Sequence, residues 1–87
     1  MMPIVFEPKA WEDYIHWVET DRKMLARINL LIKECSRTPF SGQGKPEALR
    51  GNKSGFWSRR MDDTHRLVYG IKEGRLHILQ CRFHYTK

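Results

Sequence analysis

The chain of 87 residues has no apolar run near the roughly 18 that span a bilayer, and its opening MMPIVFEPK lacks the long apolar centre of a signal peptide. These absences point to a soluble, cytoplasmic protein with no membrane partner. Cysteine is scarce. Cys35 and Cys81, the only two, both fall at apolar positions of their segments, which favours buried free thiols over a disulfide. His16, His65 and His77 have no spacing with cysteine or carboxylate that would assemble a metal site, so neither metal nor cofactor is expected. There is no internal repeat, low-complexity tract or dividing linker, which leaves one domain over residues 1–87. Acidic residues are few, 10 against 16 Lys and Arg, and the resulting charge of +6 with a pI near 9.7 suits a polyanionic partner, nucleic acid or acidic protein.

What is present centres on GFWSRRMDDTHRLVY, residues 55–69. Two strand-forming runs, 56–61 and 65–69, flank Asp62, Asp63 and Thr64, residue types that close a short hairpin. A loop of those three residues sets Arg60 opposite Arg66. Like charges directly opposed on a sheet repel, so the pair implies an anion or carboxylate between them. The hairpin therefore reads as a phosphate-sized anion site on a rigid sheet. Arg59 should point away from Arg60 and be solvated or face RNA.

Around it, Ile4, Val5 and Phe6 form a first strand. Pro8 suits the first turn of a helix running to about Glu19, with Trp11, Tyr14, Ile15 and Val18 on one face. Thr20 and Asp21 cap a second helix, whose stripe is Met24, Leu25, Ile28, Leu31, Ile32 and Cys35 and which must end before Pro39. TPFSGQGKPE, residues 38–47, is irregular, and its GQGK lacks the following helix that a phosphate loop requires. A short strand follows at 48–50, then a loop at 51–55. A turn at Lys72, Glu73 and Gly74 leads into a last strand over 75–85, with Leu67 opposite Leu79 and Arg66 opposite Gln80. Alternation then gives Leu67, Tyr69, Leu79, Cys81 and Phe83 to one face, and Arg66, Gln80, Arg82 and His84 to the other. The expected fold is α+β, with two N-terminal helices packed on a twisted antiparallel sheet.

Arg60, Arg66, Arg82 and His84 on one face lack only a base, and Glu47, aimed by the stiff Pro46, supplies it. Carboxylate, guanidinium groups and imidazole together suggest RNA cleavage by its own ribose 2′-hydroxyl. Glu47 would take the 2′ proton and His84 would protonate the departing 5′ oxygen. Arg66 and Arg60 would hold the phosphate. The plainer alternatives are a surface salt bridge from Glu47 to Lys45 or Arg50, a buried pair of Glu47 with Arg66, and an exposed histidine at the chain's end.

The runs KPEALRGNKSGFWSRRMDDTHRLVY and CRFHY, with WEDYIHWVETD and INLLIKECSRTPFSGQGKPE before them, resemble the Txe/YoeB toxins of the RelE/ParE superfamily over nearly the whole chain. The resemblance implies a microbial-ribonuclease-like fold and a metal-independent endoribonuclease that enters the A site of the 70S ribosome, against ribosomal RNA, and cuts mRNA. It also implies a cognate antitoxin and a homodimer. Glu47 matches the family's general base, Arg66 its phosphate-binding arginine and His84 its general acid. Tyr85 matches an aromatic that orients the mRNA, and Arg60 a second basic residue. Arg50 stands where many members have lysine, and Thr86 and Lys87 follow the usual terminal His-Tyr. Two other functions stay open. One is a ParE-like toxin that binds DNA gyrase, which would not need Glu47 and His84 together; the other is a non-catalytic basic RNA-binding module.

Overall fold

A computed structural model of the chain describes residues 1–51 and 54–84. The order is β1 (Ile4–Phe6), α1 (Pro8–Thr20), α2 (Arg22–Cys35), β2 (Glu47–Ala48), β3 (Phe56–Arg60), β4 (Arg66–Lys72) and β5 (Arg75–Gln80). The five strands form one sheet in the order β1-β5-β4-β3-β2. Four strands are antiparallel, as expected. β1 joins the edge of β5 in parallel, so the sheet is mixed; α1 and α2 supply the crossover that a parallel pairing needs.

Both helices start where the sequence places them. Pro8 occupies the first turn of α1, and the Asp21 side chain accepts the Met24 amide at 3.0 Å to cap α2. The α2 stripe buries Ile28, Leu31, Ile32 and Cys35 against the sheet, with Met24 and Leu25 packed at its margin. α1 is rotated from expectation. Its buried residues are Ala10, Asp13 and Trp17, whereas Trp11 and Val18 are about half exposed, at 51% and 45%. The cause is polar: Asp13 Oδ2 accepts the Cys81 amide at 3.1 Å, and Trp17 Nε1 donates to the Cys81 carbonyl at 2.7 Å. Both backbone groups of Cys81, at the point where β5 leaves the sheet, are thus satisfied by α1.

The β3–β4 hairpin has the expected register, with Arg60 opposite Arg66. The β4–β5 register does not match. Val68 pairs with Gln80 but Tyr69 with Ile78, which leaves Leu79 as an extra residue on β5. This bulge shifts the alternation, so that Leu76 and Ile78 enter the core and Leu79 moves to the other face. Cys81 is buried as expected, but Phe83 is 51% exposed. β5 also ends at Gln80 rather than continuing to residue 85.

Cys35 and Cys81 are both free and fully buried. Burial pushes the Cys35 thiol up to about 11 and the Cys81 thiol up to about 12. At pH 8 neither then offers thiolate or access to a reagent. Native protein treated with iodoacetamide at that pH should carry no label after an hour and two labels once denatured, as read by mass spectrometry. Rapid native labelling of either thiol would contradict the packing.

Candidate active site

Alternation along β3 sends consecutive arginines to opposite faces. Arg60 is exposed on the face away from the helices, and Arg59 lies beneath them with 0% of its surface accessible. Arg59 is therefore neither solvated nor RNA-facing. All five of its N–H donors are taken. Nε donates to the Tyr69 hydroxyl at 3.1 Å, Nη1 to Glu34 Oε1 at 2.8 Å and the Gln43 carbonyl at 3.2 Å, and Nη2 to the carbonyls of Thr38 at 2.6 Å and Ser41 at 2.7 Å. The loop between α2 and β2 is thus wound on one guanidinium.

The same loop ends at Glu47. Gly44 accepts the Arg60 amide at 2.6 Å, and a Cβ at Gly44 would sit 2.9 Å from the Arg60 carbonyl oxygen, so the close approach to β3 requires glycine. Glu47 then pairs with Ser58. Paired residues share a face, so Glu47, Ser58, Val68 and Gln80 form one row across four strands, on the face opposite the helices. Arg60 and Arg66 form the neighbouring row. The floor beside the arginines is apolar at Val68, buried at 1%; Leu49, buried at 6%, lies opposite Phe56 on the far side of the Glu47 row, and both are outside the main core.

Arg66 is half-buried, and its Nη1 donates to the Asp62 carbonyl at 2.7 Å and the His65 carbonyl at 3.0 Å. Among the described residues no protein acceptor takes its remaining hydrogens. Burial works against the Asp62 carboxylate, but the amides of His65 and Thr64, at 2.7 and 2.8 Å, outweigh it and hold Asp62 below its ordinary range. That ring of bonds stiffens the turn from which Arg66 projects.

Phe83 and His84 leave β5 in a turn rather than a strand, with Phe83 at φ 64. Such left-handed backbone at a bulky residue costs on the order of 1 kcal/mol and persists only where its surroundings fix it. Here the Phe83 amide donates to His65 Nδ1 at 2.7 Å and the Phe83 carbonyl accepts from the Arg66 amide at 3.0 Å. Gln80 Nε2 donates to the carbonyls of Arg82 and His84 at 3.1 and 3.2 Å. His65, edge-on to Trp17 at 4.8 Å, must present a bare Nδ1 to accept that amide, so Nε2 carries its proton. Nothing in the sequence singles out His65 or Gln80, because a contact across 18 residues leaves no local mark.

Glu47 and His84 are both exposed. Three strand spacings of about 4.8 Å separate the Glu47 backbone from that of Gln80, a gap of roughly 14 Å. Arg50 is exposed beyond β2. Arg82 is half-buried with Nε unpaired among the described residues, its guanidinium 4.6 Å from the Phe83 ring centroid. Tyr85, Thr86 and Lys87 lie outside the described residues. Among those described, no ion pair joins Glu47 to Lys45, Arg50 or Arg66, and no three His, Cys, Asp or Glu side chains cluster as metal ligands would.

Residues 6–85 match the model of a family described as YoeB-like toxin of bacterial type II toxin-antitoxin system. A Toxin YoeB of Streptomyces coelicolor is 57% identical over 97% of this chain and 100% of its own length. A Toxin YoeB of Escherichia coli is 50% identical over the same shares. Among solved structures, a YoeB/ParE toxin from Agrobacterium tumefaciens superposes with TM-score 0.92 at 48% identity, over 97% of this chain and 100% of that one. A YoeB-YefM complex from Staphylococcus aureus contains a chain that superposes with TM-score 0.88 at 40% identity, over 98% and 99%.

The Gln43 amide, at 2.5 Å, is the main cause that holds Glu34 below the ordinary 4.5, with Arg59 assisting against desolvation. A lowered carboxylate stabilises the fold above its unfolded pKa, and that contribution fades as pH falls through the folded value. The wild type should therefore lose stability more steeply than Glu34→Gln between about pH 4.5 and 2, measured by urea unfolding. Parallel profiles would contradict the contact.

Proposed function

The chain belongs to the YoeB-like toxins of bacterial type II toxin–antitoxin systems, and from that premise we propose that it is a metal-independent endoribonuclease which cuts mRNA in the ribosomal A site and so stops translation. The observation that carries the reading is the row Glu47–Ser58–Val68–Gln80, whose two ends hold a carboxylate and the turn that carries His84, with Arg60 and Arg66 in the next row.

In the reaction a Glu47 carboxylate oxygen accepts the proton of a ribose 2′-hydroxyl. The freed oxygen attacks the adjacent phosphorus as the bond to the 5′ oxygen breaks. His84 gives that oxygen a proton, and the products are a 2′,3′-cyclic phosphate and a 5′-hydroxyl end. Charge that builds on the non-bridging oxygens meets the Nε and Nη2 hydrogens of Arg66, which its own turn leaves untaken, and the cation of Arg60. The buried Val68 keeps water from beneath the phosphate, where these interactions are stronger than in bulk solvent. Arg50 contributes charge along the RNA backbone, and Tyr85 orients the message.

A surface of so few groups does not by itself hold a flexible ribose in line for attack, so the 70S ribosome and its RNA supply the positioning and free RNA is a poor substrate. The solved Staphylococcus aureus YoeB-YefM complex and YoeB dimer support an antitoxin partner and a homodimer. Exposed Trp11, Val18 and Leu30 offer apolar surface for such contacts.

Protein added to translating ribosomes should cut the transcript within the A-site codon and leave a 2′,3′-cyclic or 3′-phosphate end. Glu47→Ala, Arg66→Ala and His84→Ala should each slow cutting by about a hundredfold or more, read by primer extension. Equal cutting by all four proteins would refute the roles of Glu47, Arg66 and His84, and a non-catalytic RNA-binding module would show no cutting at all.

A further inference from the structure

The face that carries the Glu47 row continues beyond it. Two residues further along β3 and β4, and three along the bulged β5, about 6.6 Å away, lies the row Phe56–Gly70–His77. Here the Phe56 ring lies over Gly70, where a Cβ would meet it at 2.5 Å. The absence of a side chain at Gly70 lets an aromatic lie flat along the sheet. Beside it opens a cavity of about 480 Å³, lined by Glu7, Phe56, Ile71, Lys72, His77 and Leu79 among others. No role in the cleavage chemistry uses these residues.

Resting on the endonuclease reading, we propose that this cavity is a base-recognition subsite, which takes the nucleobase of a nucleotide next to the scissile linkage. The volume lies in the range of small-ligand pockets, and Phe56 with Leu79 offers an apolar stacking wall of the kind unpaired RNA bases use. The polar wall is selective. His77 Nδ1 lies 3.2 Å from Glu7 Oε1; a carboxylate oxygen accepts, so Nδ1 holds a proton, and in that tautomer of the uncharged ring Nε2 is an acceptor. Such an acceptor matches a base edge that bears an exocyclic amine and rejects one that offers only carbonyl oxygen. Lys72, at the rim, suits the phosphate that follows the bound base. The offset from the Glu47 row is close to the step between neighbouring nucleotides in an unstacked strand. One message can therefore occupy both rows at once.

The test is the cleavage profile of ribosomes programmed with transcripts whose A-site codon and flanking positions are randomised, read by sequencing the cut ends. The wild type should favour amine-bearing bases at one position beside the cut by on the order of five- to tenfold. His77→Leu should flatten that preference to within about twofold while still cutting its best codon, and Phe56→Leu should weaken cutting for every base at that position. Cutting by all three proteins with the same base profile overturns the subsite and leaves the endonuclease reading in place. No cutting by the wild type overturns that reading, and the subsite with it. Nuclear magnetic resonance adds a readout free of turnover. Titrated cytidine 5′-monophosphate should shift the His77 ring and Leu79 methyl signals, and shifts confined to Arg60 and Arg66 would overturn the subsite.

Discussion

A single buried guanidinium holds this small structure together. Arg59 is enclosed, and its five donors reach three loop carbonyls, the Glu34 carboxylate and the Tyr69 hydroxyl. A charge removed from water is costly unless every donor is met, and here every one is. Tyr69 in turn donates to the Pro39 carbonyl at 2.6 Å, while burial pushes its own hydroxyl up to about 12. The loop from α2 to β2 has no regular structure to shape it. Arg59 gives it a shape, and the loop ends at Glu47, so a core contact on one face of the sheet sets where a carboxylate stands on the other.

The second end of the site depends on similar means. α1 captures both backbone groups of Cys81, and the His65 ring, the Arg66 amide and the Gln80 side chain fix the strained turn that follows. The Arg66 amide and guanidinium thus face different tasks. The amide locks the turn that leads to His84, and the guanidinium leans on its own hairpin with donors to spare. The strain at Phe83 is tolerated because four separate bonds oppose its release.

Much of this is legible in the sequence, and the failures have physical causes. The hairpin loop of Asp62, Asp63 and Thr64 announces its own register, and with it the opposition of Arg60 and Arg66. Helix starts are marked by Pro8 and Asp21. The bulge at Leu79 has no local signature, since nothing in RLHILQ distinguishes a strand with an extra residue from one without; strict alternation therefore puts Leu79 on the wrong face, and Phe83 is misplaced because β5 ends at Gln80 and the chain turns there. Trp11 and Val18 look like core because apolar spacing cannot reveal that Asp13, satisfied by a distant amide, takes the buried position. Arg59 is misplaced for a related reason: arginine is ordinarily exposed, and only the three-dimensional loop supplies the acceptors that make burial possible. For the site, face and row follow from strand pairing, whereas the devices that hold His84 in place join residues far apart in the chain.

The most direct measurement of the central claim is amide hydrogen exchange in wild type and Arg59→Lys. Lysine keeps the charge but cannot reach five acceptors in a plane. The amides of Gln43, Arg60 and Leu49, which bond to Glu34, Gly44 and Phe56, should exchange on the order of a hundredfold faster in the variant, while those of Leu31 and Ile32 in α2 keep their protection. Unchanged protection at Gln43 and Arg60 would show that the loop, and with it Glu47, is held by something other than Arg59.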